Sequence, residues 1–172
     1  MVSGKKKNEL DRKLLELEKA EARTSPDLPM PKGWPPALEE RSREHGARRL
    51  STLGMARDDE EGREKLRLMN FEFYGAPCAV LLFIDGSLGE WSTFDMGLFA
   101  QNLILAAHSL GVESCLQASV TNYAPEIKKF LDIPESKKLV ICISLGYPDE
   151  KAKLNTYRSL KQKPNEFTKW YE

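Results

Sequence analysis

Apolar residues recur with a helical period in the first part of the chain and in short continuous runs in the second. Leucines spaced among charged residues predict an amphipathic helix over about residues 9–21. Five prolines within residues 24–36 predict an extended surface loop, because proline fixes φ and lacks an amide donor. A second helix is expected after Pro36, and the acids of Asp58–Glu61 predict the first turn of a third that extends to about Tyr74.

The second part of the chain carries the pattern of a sheet with helices packed against it. The apolar run Ala76–Ile84 is closed by Asp-Gly-Ser and predicts a central strand. Residues 92–110 predict the longest helix, which is apolar around nearly its whole circumference and is therefore expected in the middle of the molecule. Two more strands, 112–120 and 138–145, flank a short amphipathic helix over 122–131. This alternation favours a layered α/β or α+β sheet.

Composition narrows the class of protein. The 172 residues are 41% hydrophobic and 30% charged, which suits one folded domain and excludes a disordered polyelectrolyte. The 26 basic and 26 acidic residues cancel, so neither a general nucleic-acid binder nor a basic arm over residues 1–23 is expected. The basic segment Met1–Lys7 leads into polar residues rather than an apolar stretch, and polar side chains interrupt the helix over 92–110. We therefore expect a cytoplasmic protein without a membrane span.

The cysteines, the histidines and the short motifs do not by themselves indicate a reaction. Cys78, Cys115 and Cys142 lie far apart in apolar runs and are expected to be small buried residues of a reducing compartment. His108 is expected to be a core or interface residue, and His45 a solvated residue at a helix end. No triad, metal-ligand spacing or glycine-rich phosphate loop is found in the sequence. The residues alone thus indicate a globular domain with a possible interface.

Five blocks in a fixed order give the chain a resemblance to a known family. The blocks are Tyr74–Pro77, Phe94–Gly97 with Gln101–Ala107, Leu110–Cys115, Leu131–Pro134 and Ile143–Pro148. Together they resemble the FMN-dependent nitroreductase family, and 70–75 with 114–118 are similar to its branch that reduces nitroaromatic acids such as nitrobenzoate.

The resemblance implies a fold and an assembly. It implies an α+β sandwich with a mainly antiparallel sheet, in a single domain over residues 1–172 with a charged helical part before the core sheet that begins near 71. It also implies an intertwined homodimer with FMN at the interface and the helix over 92–110 at its centre. The tail with Phe167 and Trp170 would then cross onto the partner subunit, although packing within its own subunit is an alternative.

The resemblance implies a reaction and the residues that support it. FMN would take a hydride from NAD(P)H and pass electrons to a small-molecule acceptor such as a nitroaromatic compound or a quinone. The residues expected beside the ring are Leu116, Gln117, Ala118 and Ser119. Arg158 and Lys161 are expected at the FMN phosphate, since both types suit charge-assisted contacts with a dianion. The alternatives are ordinary strand-end residues and, for Lys161 and Lys163, solvated lysines.

One departure from the family pattern separates two hypotheses. The Arg-x-Ser-x-Arg helix and the Asn-x-Gln-Pro-Trp element of the family are not found in the sequence, and Met1–Lys5 resembles the end of its first core strand. An amino-terminally truncated domain that binds FMN weakly is therefore expected. The first hypothesis is an FMN oxidoreductase, and the second is a truncated or degenerate relative that serves as a dimeric binding scaffold. The second substrate and the choice between NADH and NADPH remain open.

Overall fold

A computed structural model describes residues Met1–Tyr171, which form two compact units. The first unit comprises residues 1–30 and 61–148, and the second comprises residues 31–60 and the chain from Asp149. The helices are α1 Gly4–Lys19, α2 Pro36–Leu53, α3 Glu60–Leu68, α4 Glu90–Ser109, α5 Ala124–Leu131 and α6 Lys153–Thr156. The strands are β1 Val2–Ser3, β2 Cys78–Asp85, β3 Glu113–Gln117 and β4 Lys137–Gly146, and 3-10 segments cover Met69–Gly75, Ser119–Tyr123 and Pro164–Glu166.

The four strands form one sheet in the order β1-β2-β4-β3, and every pairing is antiparallel. β2 and β4 pair along their length from Cys78 opposite Leu145 to Asp85 opposite Lys137, with a register shift after Leu82. The segment resembling the end of a core strand is β1, in which Val2 lies opposite Ala79. The antiparallel sheet predicted from the resemblance is therefore confirmed.

Two apolar clusters cover the two faces of the sheet. Neighbouring residues of β2 belong to different clusters: Leu81 packs with the first and Leu82 with the second. Successive side chains of a strand point to opposite faces, so the clusters lie on opposite sides. The first brings together α1, α5 and the 3-10 segments Met69–Gly75 and Ser119–Tyr123, and the fully buried Leu10, Leu14 and Ile127 belong to it. The second contains α4, which confirms the α+β sandwich.

Helix α4 is not enclosed by its own subunit, contrary to the expectation that it lies in the middle of the molecule. Only Ala100 on this helix is buried, among Met96, Leu103 and Ile104 that pack on the sheet. On its other side Leu98 is 52% exposed and Leu105 56% exposed. One side of the helix therefore covers the sheet, and the other side is an exposed apolar surface of the chain.

Two predicted boundaries are wrong because tertiary packing overrides the local pattern. The second predicted strand ends at Gln117 instead of Val120, since the chain bends at Ala118 into a 3-10 segment. Val120 is fully buried in the core, so its apolar character reflects packing rather than a strand. The third predicted helix ends at Leu68 instead of about Tyr74.

Three predictions for single residues also need correction. Cys142 is buried as predicted, but Cys115 is exposed on the outer strand β3. His108 is exposed near the end of α4, where its Nδ1 lies 3.0 Å from Glu113 Oε1, so the core position is wrong and the interface position stays a prediction. His45 is exposed within α2 rather than at its end, 3.0 Å from the hydroxyl of Tyr157.

The second unit is formed by α2, α6 and the segments around them. Arg41 Nη1 donates a hydrogen bond to Gln162 Oε1 at 3.0 Å, and the Tyr157 ring meets His45 edge to face. Phe167 and Trp170 are both exposed, so the alternative in which they pack within their own subunit does not hold in this structure. Within residues 1–171, no helix is long and apolar enough to cross a membrane, and no group of three potential metal ligands comes together.

The turn after β2 is closed by short polar contacts. Ser87 donates from both its hydroxyl and its amide to Asp85 Oδ1, at 2.6 and 3.0 Å. These bonds, with the Lys137 ammonium, lower the pKa of Asp85 to about 2. Gly86 donates its amide to the Ser136 carbonyl at 2.6 Å, so the two turns at this end of the sheet touch.

A side chain at position 86 is expected to force those turns apart. In Gly86→Ala, the new Cβ would lie 2.6 Å from the Ser136 carbonyl oxygen, closer than Cβ contacts in folded proteins. We expect a loss of about 1–3 kcal/mol of unfolding free energy, measured by urea denaturation. Gly33→Ala is the control, because a Cβ there meets nothing within 4 Å. Equal stability of the two variants would contradict the close approach.

Candidate functional site

The turn that follows β3 presents small side chains on an exposed piece of backbone. Ala118 and Ser119 are exposed, and Leu116 before them is 53% exposed. Thr121 fixes the turn by donating to the Ala118 carbonyl from its hydroxyl at 2.7 Å and from its amide at 3.0 Å. A planar ring system can approach the backbone here without displacing a large side chain.

Gln117 supports this turn from inside the fold. Its side chain is only 2% exposed, and its Nε2 donates to the Asn70 carbonyl at 2.8 Å. Because that carbonyl can only accept, the amide orientation is fixed and Oε1 must point elsewhere. Oε1 is buried and has no hydrogen-bond partner among the described residues. Of the four residues predicted beside the ring, Gln117 alone directs its side chain into the core.

The 3-10 segment Met69–Gly75, which accepts the bond from Gln117, ends in an unusual backbone. Phe73 and Tyr74 have φ angles of 52° and 53°, and Gly75 follows with 75°. The left-handed region costs a residue with a Cβ about 1–2 kcal/mol, so two such residues in succession must be held by their surroundings. Phe73 is fully buried, and the Tyr74 hydroxyl donates to Asn70 Oδ1 at 3.0 Å.

Sequence reasoning missed both Asn70 and the left-handed residues. The local signal was Asn-x-x-x-Tyr-Gly, in which glycine ends the segment. The pattern of apolar residues favoured a continuous helix instead.

The predicted phosphate residues lie in the second unit. Arg158 and Lys161 are both exposed in the extended tail after α6. Arg158 Nη1 donates to the carbonyls of Asn155 and Tyr157, at 2.6 and 2.9 Å. These bonds keep the guanidinium close to its own backbone. The grouping of the two cations with residues 116–119 remains a prediction.

A cavity of about 630 Å³ beside α5 has a different character. Its lining is dominated by charge, with three lysines and three acids from α1, from α5 and from the α5–β4 connection. Ligand pockets for aromatic groups are lined mainly by apolar and aromatic side chains. The lining of this cavity is therefore a poor match for a flavin ring.

The buried thiol opposite the site residue Gln117 is not available as a nucleophile. Cys142 lies opposite Gln117 in the sheet and is fully buried. Burial raises the pKa of its thiol far above the ordinary value, since the apolar core disfavours the thiolate. No side chain of residues 116–119 can itself carry a hydride. Redox chemistry at this turn therefore requires a bound group.

A sequence model of the nitroreductase family matches residues 6–147. The chain belongs to the nitroreductase family. The match covers both clusters of the core except Val2, together with the left-handed segment and the turn after β3. The recognition made from the ordered sequence blocks is therefore confirmed.

Two curated nitroreductases illustrate the relationship. A 4-nitrobenzoate reductase of Pseudomonas putida is 39% identical over 110 residues, which are 64% of this chain and 48% of that protein. Nitroreductase NfnB of Mycolicibacterium smegmatis is 35% identical over 159 residues, 92% of this chain and 67% of that protein. The chain thus spans about half the length of the first relative and two thirds of the second.

Solved nitroreductases have the same fold. The FMN-dependent nitroreductase NfnB from Mycobacterium smegmatis, solved in complex with NADPH, superposes with a TM-score of 0.93 at 32% identity. The match covers 99% of this chain and 77% of that one. NfnB from Sphigopyxis, an FMN- and NADPH-dependent enzyme, shares the fold with a TM-score of 0.92 at 24% identity.

The residues of the first unit suit the edge of a flavin ring. The turn offers small exposed side chains and accessible backbone at Ala118 and Ser119. A buried acceptor, Gln117 Oε1, has no partner in the part of the chain that the structure describes. Buried acceptors of this kind are normally satisfied, so a donor from a bound group or a water molecule fits the arrangement.

Proposed function

We propose that this chain provides the flavin-ring side of an FMN-dependent oxidoreductase that transfers electrons from NAD(P)H to nitroaromatic compounds, quinones or related acceptors. The observation that carries the proposal is the exposed turn of small residues after β3, fixed by Thr121 and supported by the buried Gln117. The solved NfnB of Mycobacterium smegmatis is an FMN-dependent nitroreductase, which supports the same cofactor here. NADPH is the donor to test first, and its use fits the cytoplasmic location expected from the sequence.

Each residue of the proposed site has a definite part. FMN, when bound, supplies the hydride and electron transfer that no side chain here can perform. Leu116 would cover apolar ring surface, while Ala118 and Ser119 let their backbone approach the ring. Gln117 would keep that backbone in place from the core. Arg158 and Lys161 would contact the phosphate with charge-assisted hydrogen bonds, each contributing about 1.5–3 kcal/mol.

We further propose that the working form is a homodimer. Helix α4 presents Phe94, Leu98 and Leu105 at spacings of four and seven residues, which places them on one side of the helix. A continuous apolar surface of this kind on a subunit marks an interaction site. The exposed tail aromatics Phe167 and Trp170 would add to the same assembly.

The decisive experiment measures FMN uptake and turnover on one preparation. The purified chain is titrated with FMN, its absorbance spectrum is recorded, and NADPH oxidation is then followed with nitrobenzoate or a quinone. We expect a yellow complex and acceptor-dependent oxidation. A chain that takes up no FMN at micromolar concentration would instead support the second hypothesis, a dimeric scaffold without the enzyme activity.

A large side chain at the exposed turn is expected to block the cofactor without harming the fold. In Ala118→Leu, the added atoms project from an exposed position and should leave thermal stability unchanged, while the FMN dissociation constant rises at least about tenfold. Ala56→Leu, at another exposed alanine, is the control. Unchanged FMN affinity in Ala118→Leu would place the ring elsewhere.

A further inference from the structure

A buried ion pair on α1 fastens the left-handed end of the Met69–Gly75 segment. Lys7 is only 4% exposed, which is rare for lysine unless its charge is paired. Its Nζ lies 2.7 Å from Asp11 Oδ2 and donates to the Glu72 carbonyl at 3.2 Å. The same ammonium lies 5.6 Å from the centre of the Phe73 ring. The Lys7 ammonium therefore contacts both the Glu72 carbonyl, which precedes the two left-handed residues, and the ring of Phe73, which is the first of them.

The other end of this segment is tied to the proposed flavin site. Asn70 uses its side-chain oxygen to accept from the Tyr74 hydroxyl, which closes the segment on itself. Its carbonyl accepts the amide of Gln117, the residue immediately before the exposed turn. A continuous series of hydrogen bonds and backbone thus leads from Lys7 to Ala118.

We propose that Lys7 and Asp11 are positioning residues, whose ion pair holds the left-handed segment and thereby sets the place of the backbone at Ala118 and Ser119. The hydrogen bonds of Lys7 go to Asp11 and to the Glu72 carbonyl rather than to the turn, so the pair acts through Asn70 and Gln117. Its effect on FMN rests on the proposed function. Its effect on the turn does not rest on that function, because the contacts of Lys7, Asn70 and Gln117 are present in the chain without a cofactor.

A role in overall stability alone does not account for the pair. Apolar residues of similar volume often replace a buried ion pair without loss of stability. Asp11 Oδ1 is also buried without a hydrogen-bond partner in the described chain, and burial raises the pKa of this carboxyl despite the neighbouring ammonium. An incompletely satisfied pair is a poor stabiliser but a specific one, since its ammonium donates to one particular acceptor, the Glu72 carbonyl.

The test removes both charges together, so that no unpaired charge stays buried. In Lys7→Met with Asp11→Leu, we expect amide hydrogen exchange without FMN to accelerate about tenfold in peptides covering residues 69–75 and 117–121. Exchange in β2 and β4 should be unchanged. The matched control is Lys5→Met with Glu9→Leu, the same spacing on the same helix with an exposed lysine. If the test variant does not fold, the double variant Lys7→Gln with Asp11→Asn is used instead, and the same faster exchange is expected in residues 69–75 and 117–121.

The FMN measurement separates this inference from the proposed function. In the variant we expect about tenfold weaker FMN binding and an altered visible circular dichroism band of bound FMN, at nearly unchanged melting temperature. Unchanged exchange at residues 117–121 would overturn the inference, and so would altered exchange with unchanged FMN affinity and spectrum. If the unmodified chain itself binds no FMN, the proposed function fails, while the exchange experiment still decides whether the pair holds the turn.

Discussion

Replacing Leu98 and Leu105 by glutamate is expected to leave the subunit folded and to abolish its dimer. Both side chains are about half exposed on α4, so the charged replacements reach water in the isolated subunit. In the proposed dimer they would be buried against the partner. Fully burying one leucine contributes about 1.5–3 kcal/mol to association, and each replacement acts in both subunits. The dissociation constant of the dimer should therefore rise at least about 1,000-fold.

The dimer prediction is measured by sedimentation or by light scattering over a concentration series. Leu38→Glu is the control, because Leu38 is a similarly exposed leucine on α2. We expect the control to remain dimeric and the α4 variant to be monomeric, with loss of FMN binding if FMN lies at the interface. A parent chain that is already monomeric at micromolar concentration would contradict the proposed assembly.

Replacing Asp27 by leucine is expected to be the most destabilising single change outside the apolar core. Asp27 Oδ1 lies 3.1 Å from the Nζ of Lys128, whose side chain is 4% exposed, and Oδ2 accepts the Leu139 amide at 2.7 Å. Burial disfavours the charged form of Lys128 and lowers its pKa, but the carboxylates of Asp27 and Glu135 have the larger combined effect, so the pKa of Lys128 is raised. Removing Asp27 leaves a buried cation and an orphaned strand amide, so a loss of about 3–5 kcal/mol is expected.

Glu135 supplies the matched control for the Asp27 prediction. It also contacts Lys128, at 3.3 Å, but its side chain is 77% exposed. Exposed ion pairs contribute at most about 1 kcal/mol, so Glu135→Gln should leave stability nearly unchanged. Urea denaturation of both variants measures the difference. Equal losses would mean that Lys128 is solvated rather than held by Asp27.

The sequence was sufficient for the elements with a strong apolar pattern. The predicted strand Ala76–Ile84 corresponds to β2, Cys78–Asp85, and the predicted helix 92–110 corresponds to α4, Glu90–Ser109. Both are strongly apolar segments bounded by glycine or turn residues, and in such segments local preference and tertiary packing agree. The antiparallel order of the sheet came from the family resemblance, because periodicity does not determine which strands pair.

Long-range polar contacts left no local signal. Lys128 meets Asp27 from 101 positions away, and Gln117 meets Asn70 from 47. A lysine in a short amphipathic helix is ordinarily solvated, and nothing adjacent to it in sequence indicates burial. The candidate turn was predicted from the resemblance, whereas its support by Asn70 and by Lys7 emerges only when the sheet brings distant segments together.

The connectivity of the sheet has a consequence for the speed of folding. No strand pairing in residues 1–171 is a tight hairpin, since even the most local pair, Gln117 with Cys142, joins residues 25 positions apart. Closing such loops costs chain entropy before any contact repays it, and folding rates fall as contacts become less local. Helices α1 and α4 can form early, but the sheet between them must wait for β4, which joins β2 to β3. A chain interrupted before β4 has been synthesised would expose both apolar clusters, and refolding in vitro should be slow and prone to aggregation.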